Sequence, residues 1–322
     1  MSEVVRRVFV TGGSGFIGTH LVELLIATGH ECVSYDKVAP MLNGQQHYWR
    51  QGDILDEGRL SEVMESFEPD AVVHLAARTD LAGTMIADYR ENTQGTRNVL
   101  DVSSRTSTVR RVVVASTMYV CRRGYAALSD DDYAVDTVYG ESKVQTEEIT
   151  RRTQWPFDWS IVRPAVIWGP YHERLRREFF RILSLGLYFH PGNARTCRSY
   201  GYVENTVWQI IRLLEVDSKD IAGKTFYLAD PPIDLFEWVA ECSRQLCGRK
   251  VRSIPMPVLA VVARFGDLLL RAGFGKFPLT TFRLANMTTD WKVDIGPIES
   301  VAGKVPVDME EGVRRTVAWL HD

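Results

Sequence analysis

One stretch constrains the fold of this chain more than any other: VFVTGGSGFIGTHLVELL, residues 8–25. Four glycines, Gly12, Gly13, Gly15 and Gly18, fall within eight residues. A glycine inside regular structure costs about 0.5–1 kcal/mol relative to alanine, so bare backbone must serve a purpose here. Val8 to Val10 is a short β-branched and aromatic run that reads as a buried strand. Beyond Thr19, residues Leu21, Leu24 and Leu25 recur at helical spacing, and Gly29 stands where a helix would stop. The glycines therefore occupy a strand-to-helix turn, which aims backbone amides and the positive end of a helix dipole at whatever lies above it. A diphosphate suits that place. Without a Cβ on Gly12 or Gly15 its oxygens reach the amides, and Gly18 lets the helix pack closely on the strand. Taken alone, the glycines are equally compatible with a tight turn that binds nothing.

The next segment sharpens the reading. ECVSYDK follows the helix as a second strand ending at Asp36, eighteen positions after Gly18. An acid at that spacing accepts hydrogen bonds from a ribose 2′-OH and repels a 2′-phosphate, which favours NAD over NADP. Lys37 next to it leaves a 2′-phosphate open, because a lysine could neutralise one.

Bulk properties exclude several function classes. The chain has 322 residues and a formal net charge of −3, enough length for one large or two fused domains. It carries no basic stripe of the kind nucleic acids require. The five cysteines, Cys32, Cys121, Cys197, Cys242 and Cys247, are odd in number and contain no CxxC pair, which reads as reduced thiols in a cytoplasmic protein. MSEVVRRVFV lacks a signal-peptide core. The most apolar run, PMPVLAVVARFGDLLLRAGFG, is broken by Arg264 and Asp267 and so does not provide a continuous membrane span. It reads as a buried amphipathic helix pair, or as a contact for lipid or a greasy substrate. The seven histidines show no metal-ligand spacing, and no metal is expected.

Strand-like runs alternate with helix-length segments (19–28, 56–67, 88–104, 137–153) through the first half. That alternation predicts an α/β fold, with a parallel sheet wound by helices on both faces and a ligand at the C-terminal ends of its strands. Past Pro164 the pattern breaks down. We expect a dinucleotide-binding domain over 1–168, a smaller substrate lobe over 169–322, and a strand near 224–230 returning to the main sheet.

Two helical positions carry chemistry. Tyr139 and Lys143 in VYGESK lie four apart and share a helix face. A tyrosine with a pKa of about 10 is a poor acid–base at neutral pH, and a neighbouring ammonium stabilises its phenolate. The pair could exchange a proton with a hydroxyl while a nicotinamide takes or gives a hydride. Ser116 and Thr117 end the apolar run RVVVAST, where a hydroxyl can reach the reacting oxygen; such residues also simply cap turns.

Together these motifs resemble the extended branch of the short-chain dehydrogenase/reductase superfamily, the NAD-dependent epimerase/dehydratase group. TGGSGFIG resembles its phosphate loop, GDILD its adenine-contacting acid at Asp53, HLAA (His74 to Ala77) its strand beside the cofactor, and NTQGTRNVL the segment holding an internal Asn, here Asn92. YGESK resembles the catalytic helix, RPAVIWGP the strand leaving the nicotinamide, and EEGVRRTVAWL the last helix. The resemblance spans essentially the full chain and implies a Rossmann-type doubly wound sheet. It implies Thr117, Tyr139 and Lys143 as the catalytic set, with Tyr139 as acid–base. It places NAD against Gly12, Gly15, Phe16, Ile17, Gly18, Asp36, Asp53, Ile54, Leu75, Ala76, Ala77, Tyr139, Lys143, Pro164 and Val166, with Arg78 and Arg198 facing substrate. It also implies a homodimer built on the helices at 88–104 and 139–153.

Departures narrow the reaction. The sugar 4,6-dehydratases this chain resembles carry an Asp-Glu pair after the catalytic Thr; here those positions are Met118 and Tyr119. Nucleotide-sugar decarboxylases use a nearby Glu that is also missing. Elimination and decarboxylation lack their acid–base groups, which leaves epimerisation through a transient ketone or a net oxidation or reduction. Arg198 falls near an arginine that grips a diphosphate in the sugar enzymes, whereas YVENTVW and the apolar run at 257–273 lean toward 3β-hydroxysteroid dehydrogenases. The expected substrate is a nucleotide sugar and the expected activity 4-epimerisation. The alternatives are a dehydrogenase or reductase of a hydroxysteroid-like alcohol, and a non-catalytic dinucleotide sensor, which the presence of both Tyr139 and Lys143 disfavours.

Overall fold

In a computed structural model, residues 5–192, 195–274, 277 and 279–321 are described. Seven strands form one parallel sheet: β1 (Arg7–Thr11), β2 (Glu31–Asp36), β3 (Trp49–Gln51), β4 (Ala71–His74), β5 (Arg111–Ala115), β6 (Asp158–Pro164) and β7 (Lys224–Leu228). Their spatial order is 7-6-5-4-1-2-3, and every pairing is parallel. The order reverses between β1 and β4. A crevice opens at such a switch point beyond the strands' carboxyl ends.

Strand alternation builds two apolar layers. Val8 and Val10 point to one face of the sheet and Phe9 to the other. On the first face lie Leu21, Val22 and Leu25 of α1 (Phe16–Ala27) and Val207, Ile210 and Leu214 of α5 (Val203–Glu215). On the second lie Leu60 and Met64 of α2 (Glu57–Phe67) and Val99 and Leu100 of α3 (Thr96–Arg105). Each such burial contributes about 1.5–3 kcal/mol. The doubly wound α/β architecture expected from the sequence is therefore present, and 224–228 joins the sheet beside β6.

Local signals set the helix ends. Asp56 caps α2 by accepting from the Arg59 amide at 3.0 Å. Thr137 does the same for α4 (Val138–Arg152) through the Gly140 amide, also at 3.0 Å. Gly140 has a second use: a Cβ there would sit 2.6 Å from the Tyr119 carbonyl oxygen. Its absence lets α4 begin directly against the turn that follows β5.

The chain divides into two compact units. The first comprises Met1–Ile167, Gly201–Asp230 and Val293–Pro306; the second comprises Trp168–Tyr200, Pro231–Lys292 and Val307–Asp322. The division is not a single cut, because β7 and α5 complete the sheet and its helical layer. Trp238 centres the second unit, stacked on Phe179 at 4.9 Å and edge-on to Trp168 and Tyr200. It sits on the helix Leu235–Cys247, which Asp234 caps through the Phe236 and Glu237 amides and which ends at Gly248 with φ +65°.

Candidate active site

The glycine turn after β1 has the geometry of a cradle. Gly12 adopts φ +73°, and its amide donates to the Tyr35 carbonyl at 2.9 Å. A Cβ on Gly12 would lie 2.6 Å from the Ala76 nitrogen, and one on Gly18 would lie 2.1 Å from the Gly12 carbonyl oxygen. Both are bare because protein backbone needs the space. Gly15 differs: a Cβ there meets only the Gly12 carbonyl oxygen, at 3.2 Å. Packing at 15 is tight without being prohibitive, and a ligand that approaches the backbone gives glycine a second use there. No side chain caps α1 at Gly15, and an uncapped helix start of this kind suits a diphosphate. A dinucleotide therefore fits the residues present.

Asp36 closes the adenosine side of the cradle. Its carboxylate accepts from the Ser14 amide at 3.1 Å and the Val38 amide at 3.0 Å, which fixes it beside the glycine turn with lone pairs left for a diol. Lys37 leans toward two acids, with Nζ 3.4 Å from Glu91 Oε1 and 3.9 Å from Asp53 Oδ2. Asp53 in turn accepts from the Leu55 amide at 3.0 Å. Ile54 is buried, and its carbonyl accepts from Asn98 at 2.9 Å.

The segment leaving β4 is held from both sides. The Leu75 amide donates to the Thr11 carbonyl at 3.0 Å, and the Ala76 amide to Thr11 Oγ1 at 3.3 Å. Thr11 Oγ1 also meets His74 Nδ1 at 2.7 Å, and His74 Nε2 meets Thr96 Oγ1 at 3.1 Å. Burial, with the Lys143 charge adding to it, pushes His74 down to about 3, so the imidazole stays neutral. Asn92 lies in a π-helical turn over Glu91–Gly95. Its amide group exchanges hydrogen bonds with the Arg78 backbone at 2.8 and 3.0 Å and donates to Ser142 Oγ at 2.9 Å. The loop after β4 is thereby tied to α4. The Arg78 guanidinium is already engaged by the Asp80 carboxylate at 2.8 and 3.1 Å and the Asp88 carbonyl at 2.7 Å. Any substrate anion would compete with Asp80 for it.

The reactive face of α4 carries Tyr139, Lys143 and Glu147, successive positions four apart. Thr117 stands at the end of β5, buried, and accepts from the Tyr119 amide at 3.3 Å. Burial pushes the Tyr139 phenol up to about 12, against the pull of the Thr117 hydroxyl. Lys143 is 2% exposed and donates to the Ala115 carbonyl at 2.7 Å. Burial pushes it down to about 8, and the Glu147 charge opposes that shift. The spacing of Tyr139 and Lys143 predicts a lowered phenol pKa; in the structure burial raises it, and the opposing pull comes from the Thr117 hydroxyl, not from Lys143.

Sequence reasoning missed the support behind this face. Glu147 is fully buried and forms a double hydrogen bond with Arg163 of β6, both at 2.8 Å. Tyr133 donates to the same carboxylate at 3.0 Å, and Arg163 also donates to Tyr227 at 3.1 Å. Burial raises the Glu147 pKa, but the guanidinium more than offsets this and holds the carboxyl below its usual range. The sequence signal for Glu147 was its place four residues beyond Lys143; nothing local pointed to Arg163. Pro164 and Val166 flank Ala165, whose amide donates to the Leu228 carbonyl at 3.0 Å. Arg198 lies in the second unit, buried on the short strand Cys197–Arg198 that pairs with Ile233–Asp234.

A tyrosine–lysine helix anchored to the end of β5, in a sheet whose first strand leads into a dinucleotide cradle, marks the short-chain dehydrogenase/reductase class. Within that class the chain belongs to the NAD-dependent epimerase/dehydratase family, whose profile matches residues 8–229. It is an enzyme with NAD as its cofactor. It is 28% identical to N-acetyl-alpha-D-glucosaminyl-diphospho-ditrans,octacis-undecaprenol 4-epimerase of Escherichia coli, with 97% of this chain and 95% of that protein covered. It is also 28% identical to a 3-beta-hydroxysteroid dehydrogenase of Mycolicibacterium neoaurum, over 77% of this chain and 72% of that protein. Its fold resembles that of UDP-glucose 4-epimerase from Brucella ovis in complex with NAD (TM-score 0.75, 19% identity, 98% of each chain covered).

Proposed function

We propose that the chain is an NAD-dependent epimerase of nucleoside-diphosphate sugars, acting at C4. The observation that carries this is the economy of the site. One proton-transfer group, Tyr139, stands beside Thr117, and the two positions after Thr117 are a buried Met118 and Tyr119 rather than carboxylates. Inversion through a ketone requires no more than this. NAD supplies the hydride acceptor and donor. Thr117 orients the sugar hydroxyl, and Tyr139 takes its proton as the carbon is oxidised and returns it as the ketone is reduced from the other face. Burial keeps Tyr139 protonated near neutral pH, so proton abstraction draws on the cationic charge of Lys143 and of the oxidised cofactor. The Escherichia coli relative, named as a 4-epimerase of N-acetylglucosaminyl-diphospho-undecaprenol, supports the reaction type at C4 and not the nucleoside carrier.

A second reading, oxidation of a hydroxysteroid-like alcohol, is favoured by the apolar helix Met256–Arg271 of the second unit and by the Mycolicibacterium relative. A panel of sugar nucleotides and hydroxysteroids, followed by proton NMR and by NADH absorbance, separates the two. Epimer formation without net NADH supports the proposal. Steady NADH production from a hydroxysteroid, with no sugar inverted, would replace it with the second reading.

A further inference from the structure

The helix Met256–Arg271 has two apolar faces, and only one is used within the second unit. Leu259 and Ala263 are buried against Leu284 of the neighbouring helix Thr281–Thr288. A Cβ on Gly266 would lie 2.2 Å from the Leu279 carbonyl oxygen, so this side is closely seated. The other side presents Val258, Val261, Val262, Phe265 and Leu268 to solvent, with Val261 67% and Phe265 54% exposed. At 100° per residue these five form a stripe about 120° wide along the helix. Phe274, just beyond, is equally exposed. An apolar stripe of this extent on one helix marks a binding surface.

The charges on the helix and in the segment leading into it point to the occupant. Between 249 and 271 the chain carries five cations, Arg249, Lys250, Arg252, Arg264 and Arg271, and one carboxylate, Asp267, within a protein of net charge −3. Among the described residues none of the five cations is in an ion pair. Asp267 is turned to the Thr281 amide and hydroxyl, at 3.2 and 2.5 Å. Arg249, Lys250 and Arg252 line a cavity of about 520 Å³ shared with Leu183, Leu185 and Tyr188, and that segment runs through the strand Arg252–Ile254 straight into the helix. A two-fold contact with a second copy would set this cation-rich face against itself. A bilayer with anionic headgroups satisfies both features: acyl chains take the stripe and phosphates take the cations. Among the described residues no helix is long and apolar enough to cross a membrane, so the contact lies in the interface plane.

We infer that this face of the second unit docks the protein peripherally on an anionic lipid surface. Flotation of the full chain with phosphatidylcholine vesicles, with and without phosphatidylglycerol, at low and high salt, tests it. Wild type should float with the phosphatidylglycerol vesicles and lose that binding with salt. Val261→Asp combined with Phe265→Asp should reduce the bound fraction about tenfold or more, and so should Arg264→Glu with Arg271→Glu. NAD titration and circular dichroism should be unchanged in both, since all four side chains are exposed and remote in sequence from the cradle. Equal flotation with uncharged vesicles, no flotation of wild type, or a wild-type oligomer that the aspartate variant dissolves would each overturn the inference.

Discussion

Tyr139 and Lys143 sit one helical turn apart, and burial shifts both toward their neutral forms, the phenol up to about 12 and the ammonium down to about 8. Tyr139→Phe keeps the ring and removes the proton carrier, so turnover should fall about 10²–10⁴-fold while NAD affinity holds. Lys143→Met should lose a similar factor and weaken NAD binding as well. Isothermal titration beside steady-state kinetics separates the two, and wild-type turnover by Tyr139→Phe would remove it as the acid–base. Lys143 titrates below the 10.5 of a free lysine, so whatever its charge does is present below about pH 8 and fades as pH rises through that value. The Glu147 carboxylate raises the Lys143 pKa. Glu147→Gln should therefore move the alkaline limb of kcat/KM to lower pH, and an unmoved limb in a folded variant would show that Glu147 serves stability alone. The Tyr–Lys spacing was legible in the sequence because one helix encodes it. Arg163 was not, because sixteen residues separate it from Glu147 and only the packing of α4 on β6 joins them.

The first βα turn makes a separable prediction about its glycines. Gly18→Ala puts a methyl 2.1 Å from backbone oxygen, so the turn must shift, and both melting temperature and NAD binding should drop. Gly15→Ala meets nothing closer than 3.2 Å at a backbone φ of −73° that alanine accepts. Its melting temperature should fall much less than that of Gly18→Ala while NAD affinity falls about tenfold or more, as the methyl enters the diphosphate's place. Unchanged affinity in Gly15→Ala would move the diphosphate elsewhere. At the end of β2, Asp36→Ala should relax the preference for NAD over NADP. In the sequence the neighbouring lysine leaves a 2′-phosphate open, but Glu91 and Asp53 flank Lys37 in the fold. Tighter NADP than NAD binding by wild type would return the decisive role to Lys37.

For the whole molecule, the family resemblance implies a homodimer built on the segments at 88–104 and 139–153. Light scattering should give twice the mass of one chain at micromolar concentration, and a concentration-independent monomer would count against it. The division of the chain also belongs to this scale. A sequence is read in order, and the loss of strand–helix alternation past Pro164 looked like a boundary. The strand expected near 224–230 does return as β7, and the sequence reading did not anticipate that α5 and the segment Val293–Pro306 belong with it in the first unit. What the sequence determined by itself was local: the glycine turn, the acid at the end of β2, the Tyr–Lys helix face and the parallel sheet, each set by backbone sterics or residue period within some thirty positions. The tertiary structure alone decided which groups are dry and which charges meet. Desolvation lifts the phenol above its free pKa, the Glu147–Arg163 pair stands behind Lys143, and one apolar face of Met256–Arg271 is left open to water. Burial and long-range pairing arise from the whole packed chain, and no single stretch of it carries them.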